Sequence, residues 1–288
     1  MSERKIILVT GASGKTGRRC IAHLLRQDAA VRALVRRHDV ADELRAQGVA
    51  DVVVGDMFEV QTMQRALEGA RKVLHICPPM HPGEDKLASD MIAVARNAGV
   101  EHFVLWSVLH PHIDVPHHRR KQKAEAALIE SGLTFTILQP GRYMQHLETI
   151  WTQVREAGIH TFPFSTSSRF SIAHLDDLAE VAALVLTGAG HENAVYELAG
   201  PQALSQADCA HIISGIIGRD VRAEAMPLDQ FLNKARTSGL PEWRIETFDA
   251  MNRHYDRHGL EGNGNVLRWL LARAPRSFED FVSEISRC

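Results

Sequence analysis

The chain alternates short β-branched runs with longer segments of mixed polarity, and glycines punctuate the joins. Runs at 5–10, 30–35, 51–54, 72–77, 102–107 and 134–139 predict strands. Between them apolar residues fall three to four apart. In 84–99, Leu87, Met91, Val94 and Ala98 form one stripe, which predicts a helix buried along that face. Gly48, Gly69, Gly99 and Gly132 each stand two or three residues ahead of a predicted strand, where a helix stops on a residue of positive φ. Ile7, Leu8 and Val9, and likewise Val52, Val53 and Val54, are unbroken apolar runs, which suits strands covered on both faces. Such alternation predicts an α/β fold, a Rossmann-type doubly wound parallel sheet.

After residue 140 the rhythm breaks. Segments 176–187 and 205–217 predict helices, 194–198 a strand, and 227–288 a mainly helical stretch punctuated by Pro241, Gly259 and Pro275. The expected division is a nucleotide-binding domain over 1–157, with 171–188 returning to it. A smaller, mainly helical substrate lobe is expected over 189–288.

Composition narrows the function. Of 288 residues, 33 are Lys or Arg and 35 are Asp or Glu, a net charge of −2 that argues against a nucleic-acid partner. Cys20, Cys77, Cys209 and Cys288 are scattered without metal or disulfide spacing. No apolar stretch reaches the ~18 residues of a membrane span, and no leader precedes the first strand, so a cytoplasmic location is expected. His254 and His258 share a helix face but lack the Glu of a zinc helix. His110, His112, His117 and His118 lack Cys or carboxylate partners at ligand spacing, so no metal is expected. No surface pattern forces an oligomer, though a homodimer is compatible with the sequence.

The chemistry begins at residues 9–17, V-T-G-A-S-G-K-T-G. Gly11, Gly14 and Gly17 follow a strand and open a helix, the setting in which such spacing binds a dinucleotide. Gly11 allows the tight turn, Gly14 lets backbone approach a pyrophosphate, and Gly17 lets helix and strand pack closely. Ser13, Lys15 and Thr16 complete the phosphate-facing turn. A triphosphate loop would need glycine where Val9 stands, and fails on spacing. The second strand ends in Arg36 and Arg37 with no carboxylate before Asp39, which favours a 2′-phosphate and hence NADP(H) over NAD. Lys15 and Arg18 would add to that field; solvated surface charge is the alternative. Asp56 and Met57 are placed for adenine, and Cys77 and Pro78 for the nicotinamide ribose. Nothing local suggests an activated thiolate at Cys77, which also reads as a small buried strand residue.

These residues resemble the NmrA-like branch of the atypical short-chain dehydrogenase/reductases. The resemblance rests on ILVTGASGKTGRR at 7–19, ALVRR at 33–37, VVVGDM at 52–57, ARNAGVEHFVLWSV at 95–108 and KQKAEAALIESGLTFTILQPG at 121–141. It continues through AHLDDLAEVAALVL at 173–186 and RAPRSFEDFV at 273–282. It implies that the small lobe closes over the nicotinamide. It also implies that Lys121 binds ribose, Ser107 assists, and Pro140 lines the nicotinamide side, with Tyr143, Met144 and His146 facing substrate. The superfamily's Y-x-x-x-K, aligned on Lys121 and Glu125, reads with His117 in place of Tyr. An imidazole is well matched to proton donation at neutral pH, and a nearby Lys⁺ would depress its pKa. The other reading of His117 is a solvated helix start.

Two functions follow. One is an NADPH-dependent oxidoreductase that passes hydride to a small organic acceptor such as a quinone, imine or carbonyl compound. Quinone or iminium acceptors demand least from an enzyme-bound proton donor. The other is an NADP(H)-sensing regulator without turnover, which the resemblance permits and the missing Tyr favours.

Overall fold

A computed structural model describes residues 5–287. The first half runs β1 (Ile6–Val9), α1 (Lys15–Arg26), β2 (Val31–Val35), α2 (His38–Ala46), β3 (Asp51–Val54), α3 (Val60–Leu67) and β4 (Ala70–His75). It continues with α4 (Glu84–Asn97), β5 (His102–Trp106), α5 (Pro116–Ile129) and β6 (Phe135–Pro140). After a 3₁₀ turn at Met144–Ile150 come α6 (Trp151–Ala157), β7 (Ile159–Phe162), β8 (Phe170–Ser171), α7 (Leu175–Thr187) and β9 (Ala194–Leu198). The chain ends with β10 (Ala203–Leu204), α8 (Gln206–Ile217), β11 (Arg222–Ala225), α9 (Leu228–Thr237), α10 (Glu242–His258), α11 (Asn265–Leu271) and α12 (Phe278–Ser286).

Strands β1 to β6 pair in parallel, in the sheet order β3-β2-β1-β4-β5-β6-β9. The order reverses beside β1, so the crevice outside the ends of β1 and β4 is the switch point where such sheets take ligands. The core beneath it joins Leu8, Leu34, Met63, Leu67, Met91, Phe103 and Ile137. Each such side chain contributes about 1.5–3 kcal/mol by leaving water.

Helix α1, strand β3 and strand β9 fall where the pattern predicts. Two details differ. Val52, Val53 and Val54 are only half-buried, because β3 is the outer strand of the sheet. On α4 the buried face is Glu84, Leu87, Ala88, Met91, Ile92 and Ala95; Ala98 is exposed. Ala98 falls outside the buried face because α4 ends at Asn97 and Ala98 is its C-cap.

The chain divides into two compact units. Among the described residues, unit 1 comprises 5–112, His118–Gln139 and Ala179–Tyr196; unit 2 comprises Ile113–His117, Pro140–Leu178 and 197–287. The cuts differ from the expected 1–157, 171–188 and 189–288. Residues 140–157 group with unit 2 because Gly141 N–H donates to Leu198 O at 3.0 Å and Tyr143 bridges Ala173. Residues 189–196 join unit 1, where Asn193 N–H donates to Phe135 O at 2.6 Å.

In unit 2, β7 pairs with β11 in parallel and β8 with β10 antiparallel. Its anchor is Asp177, fully buried, which accepts from Arg273 Nη2 at 2.8 Å, from Arg276 N–H at 2.7 Å and from the Arg276 guanidinium. The blocks at 173–186 and 273–282 are thereby joined. Gly200 makes the closest backbone crossing; a Cβ there would stand 1.7 Å from Ile172 O.

Candidate active site

In unit 1 the glycine turn is shaped by close approach. Gly11 has φ +59°, and a Cβ on it would lie 2.8 Å from Ile76 O. A Cβ on Gly17 would lie 2.4 Å from Gly11 O and 2.8 Å from Ala12 Cα, so only glycine fits there. Gly14 is the N-cap of α1 and its N–H donates to Gly11 O at 3.0 Å. No side chain caps α1 and no acidic residue occupies its first turn. Its first-turn N–H groups lack intrahelical acceptors, and with the dipole they favour an anion. Ser13, Gly14 and Lys15 are exposed around this turn, and Thr16 is half-buried. The cradle therefore fits a pyrophosphate.

The four cations expected at one phosphate are unequal. Arg18 pairs with Glu43 at 2.7 Å and donates to Ser13 O at 3.2 Å. Arg37 forks onto Asp39, and this hydrogen bond raises the Arg37 pKa and lowers that of Asp39. Arg36, exposed at the end of β2, makes no side-chain hydrogen bond or ion pair among the described residues. At the end of β3, Asp56 Oδ1 accepts from Phe58 N–H at 3.0 Å, which fixes the turn, and Met57 is buried.

Beneath the ends of β4 and β5 lies a buried polar chain. Thr10 Oγ1 lies 3.1 Å from His75 Nδ1, and His75 Nε2 lies 3.0 Å from Cys77 Sγ. Burial holds His75 neutral, with its pKa lowered to about 3, and pushes the Cys77 thiol up to about 12. Cys77 is therefore a buried thiol, not a thiolate, and Pro78 follows it half-buried. Lys121 Nζ donates to Trp106 O at 2.7 Å and stands 2.7 Å from Glu84 Oε1. Glu84 is 1% exposed. Its contact with Lys121 is an ion pair without hydrogen-bond alignment, since neither carboxylate oxygen accepts a hydrogen bond. Two non-glycine residues with positive φ, Met80 at +62° and His110 at +54°, lie in the loops after β4 and β5. Such strain gathers at functional edges.

One turn further along α5, Glu125 gathers the end of the fifth strand. The Ser107 hydroxyl donates to it, and Gln139 Nε2 donates to its two oxygens at 3.0 and 2.9 Å. Burial raises the Glu125 pKa against the opposing pull of those bonds. The Ser107 proton is thus directed at Glu125, which leaves its oxygen as an acceptor. His117 stands half-buried in the first turn of α5 and groups with unit 2, whereas Ser107 and Lys121 group with unit 1. Pro140, buried at the end of β6, begins the next stretch of unit 2.

Unit 2 contains a narrow, half-open cleft that encloses about 30 Å³. Tyr143, Met144 and His146 all line it, together with Arg142 and four phenylalanines. Tyr143 and His146 stack with ring centroids 5.7 Å apart, and His146 Nδ1 donates to Tyr143 O at 2.8 Å. The Arg142 guanidinium carbon sits 4.2 Å from the Phe162 centroid, 5.0 Å from Phe164 and 5.2 Å from Phe170. Cation–π attraction contributes about 0.5–2 kcal/mol at such contacts. Desolvation lowers the Arg142 pKa to about 10, so it stays charged at neutral pH. His160 in the same cleft is buried and held neutral, its pKa lowered to about 4 by burial first and Arg142 second.

Sequence reasoning missed His75, Glu84, Arg142 and His160 as site residues. Glu84 had a signal, since it stands three residues before Leu87 on the apolar stripe. So did His75, a polar residue inside a buried strand. Among the described residues no cluster of His, Cys, Asp or Glu is arranged for a metal, and no helix is long and apolar enough to cross a membrane. Cys288 lies outside the described residues.

The model of the NmrA-like family matches residues 3–282. The NAD(P)H azoreductase of Xenophilus azovorans is 35% identical over 282 residues, covering 96% of each chain. The (4-alkanoyl-5-oxo-2,5-dihydrofuran-3-yl)methyl phosphate reductase of Streptomyces griseus is 30% identical, covering 97% of each. An NADPH-dependent quinone oxidoreductase of Escherichia coli, solved with NADPH, superposes with a TM-score of 0.86 at 25% identity, over 97% of this chain and 99% of that one.

Proposed function

The chain belongs to the NmrA-like family, and on that premise we propose that it is an NADPH-dependent oxidoreductase acting on a small organic acceptor. The observation that carries the reading is the glycine cradle at the switch point, where Gly17 admits no Cβ and α1 opens uncapped. Relatives named as azoreductase, furanone phosphate reductase and quinone oxidoreductase support the reaction class.

NADPH supplies the hydride when bound. Gly11, Ser13, Gly14, Lys15, Thr16 and Gly17 hold the pyrophosphate, and Arg36 receives the 2′-phosphate with Arg37 beside it. Asp56 and Met57 border the adenine; Cys77, Pro78 and Pro140 border the nicotinamide end. Lys121 binds the ribose, its ammonium fixed by Glu84 and Trp106 O. Ser107, oriented by Glu125, offers its oxygen to the same end. Tyr143, Met144 and His146 contact the acceptor, and His117 delivers the proton that follows hydride. Quinones and imines are the preferred acceptors, because hydride transfer to them leans least on that proton.

The test is NADPH oxidation by the full chain against quinones, imines, azo compounds and carbonyl compounds, with His117→Ala and Lys121→Ala alongside. Turnover that Lys121→Ala abolishes and His117→Ala slows by about 10²-fold or more is expected. Tight NADPH binding without turnover on any acceptor would overturn the reading and leave a cofactor-sensing regulator.

A further inference from the structure

The carboxylate of Glu84 is buried and neither of its oxygens accepts a hydrogen bond, yet it stands 2.7 Å from Lys121 Nζ. Its place is therefore set by the backbone at the start of α4, and that start is built by His81. The Gly83 N–H donates to His81 Nδ1 at 3.1 Å, and the Glu84 N–H donates to His81 O at 3.1 Å. Two donors that intrahelical bonding leaves over at the head of the helix are thus closed by one residue. Gly83, the N-cap, has no side chain to do so. Met80, just before His81, has φ +62°, a conformation that persists off glycine only where surrounding contacts fix it.

The His81 ring is held in turn. Its centroid lies 4.6 Å from that of Phe58, in the loop after β3. Gly83 packs against both rings: a Cβ there would lie 3.4 Å from His81 Nδ1 and 3.8 Å from Phe58 Cε1. Phe58 is tied to the turn after β3, its N–H donating to Asp56 Oδ1 at 3.0 Å. Contacts thus run unbroken from the turn at Asp56, through Phe58 and His81, to Glu84 and Lys121. The attraction between two buried charges changes steeply with their separation, so a small shift of the helix start is felt at Lys121.

We propose that His81 is a positioning residue for Lys121: by closing the head of α4 with its Nδ1 and its carbonyl, it delivers the Glu84 carboxylate to the Lys121 ammonium and fixes that ammonium for the cofactor. This role rests on the reductase reading above, in which Lys121 binds the ribose at the nicotinamide end. His81 then acts on cofactor affinity through Lys121.

The experiment is calorimetric titration of the full chain with NADPH and with adenosine 2′,5′-bisphosphate, the adenosine end of the cofactor alone, for the wild type, H81F and H81N. H81F keeps a ring against Phe58 and removes the acceptor. H81N restores an acceptor, because an Asn side chain takes the N–H two residues on. H81F is expected to weaken NADPH about fivefold and to leave the bisphosphate unchanged, since that fragment ends before Lys121. H81N should bind NADPH within about twofold of the wild type. In a K121M background, H81F should cause no further loss of NADPH affinity. A loss that extends equally to the bisphosphate overturns the proposal, because it would make His81 a wall of the adenine site. So does unchanged NADPH affinity in H81F, an equal loss in H81N, or the same loss in the K121M background. Should H81F not fold, H81A is read by the same criteria; should K121M not fold, the fragment decides. NADPH oxidation by the wild type is followed separately with a quinone. Turnover with NADPH affinity unchanged in H81F removes the role of His81 and spares the reductase. The expected binding pattern without turnover on any acceptor does the reverse.

Discussion

The two units leave different groups open. In unit 1 several buried polar side chains meet one another: Thr10 with His75, His75 with Cys77, and Glu125 with Ser107 and Gln139 by hydrogen bonds, and Lys121 with Glu84 as an ion pair. What unit 1 leaves open is backbone, at the uncapped start of α1. Unit 2 reverses this. Helices α8 and α12 are closed by capping boxes, Ser205 with Asp208 and Ser277 with Asp280. Among the groups it leaves open is a side chain, Arg142, which makes no hydrogen bond or ion pair among the described residues. Backbone amides bind a phosphate whatever side chains surround them, whereas an arginine in a ring-walled cleft binds only what its own lining admits.

The comparison can be strained first by acid, which acts on both units. His75 and His102 in unit 1 and His160 in unit 2 have folded pKa values lowered to about 3, 4 and 4. Unfolded, each titrates near ~6.5. Between those limits only the unfolded chain takes up the protons, so stability is full above about pH 6.5 and falls with acidification toward pH 4. Three such groups give a slope of up to about 4 kcal/mol per pH unit. Urea midpoints measured from pH 7 down to pH 5 check this, and His102→Gln should reduce the slope by about a third. A midpoint that does not move over this range would show that the imidazoles are not held neutral.

Removing one partner tests how closely unit 1 is matched. Glu84→Ala leaves the Lys121 ammonium buried beside a carbonyl alone and should cost about 3–5 kcal/mol, read from chemical denaturation. Replacing both residues by Met should recover most of that stability while NADPH affinity stays lost. A next smaller effect belongs to Gly17→Ala. Its methyl must displace Gly11 O, so NADPH affinity should fall by about 100-fold, or roughly 2.7 kcal/mol, in a fluorescence titration. The smallest effect sorts the cations. Arg36→Ala should weaken NADPH by about tenfold and leave NADH unchanged. Arg37→Ala, which loses a residue already paired with Asp39, should change NADPH affinity by only about twofold. Equal losses from the two would mean that the Arg37–Asp39 pair opens when cofactor binds.

Much of unit 1 was legible because its signals are local. Helix α1 and strand β3 carry their limits in the pattern, and the glycine spacing names its own geometry. The pairing of β7 with β11 was not legible, since Arg-Ala-Glu-Ala has little strand preference and is held by its neighbour Ile159–Phe162. The partners of Lys121 and Ser107 were hidden for a different reason. Glu84 and Glu125 come from separate helices, and no spacing in sequence announces that two such residues will meet the ends of one strand. Arg142 sits beside Tyr143 and Met144, which the resemblance did single out, but the three rings that surround it lie 20 to 28 residues onward. Only folding brings them round it.

The interleaving of the two units also bears on how the protein is made. The outer strand β9 leaves the ribosome only after the whole of Pro140–Leu178, a stretch of the other unit, has been synthesised. Until then β6 presents an unpaired parallel edge, the kind of surface on which nascent chains adhere to one another. A fragment ending at residue 139 would carry every glycine of the cofactor turn and still keep that edge bare.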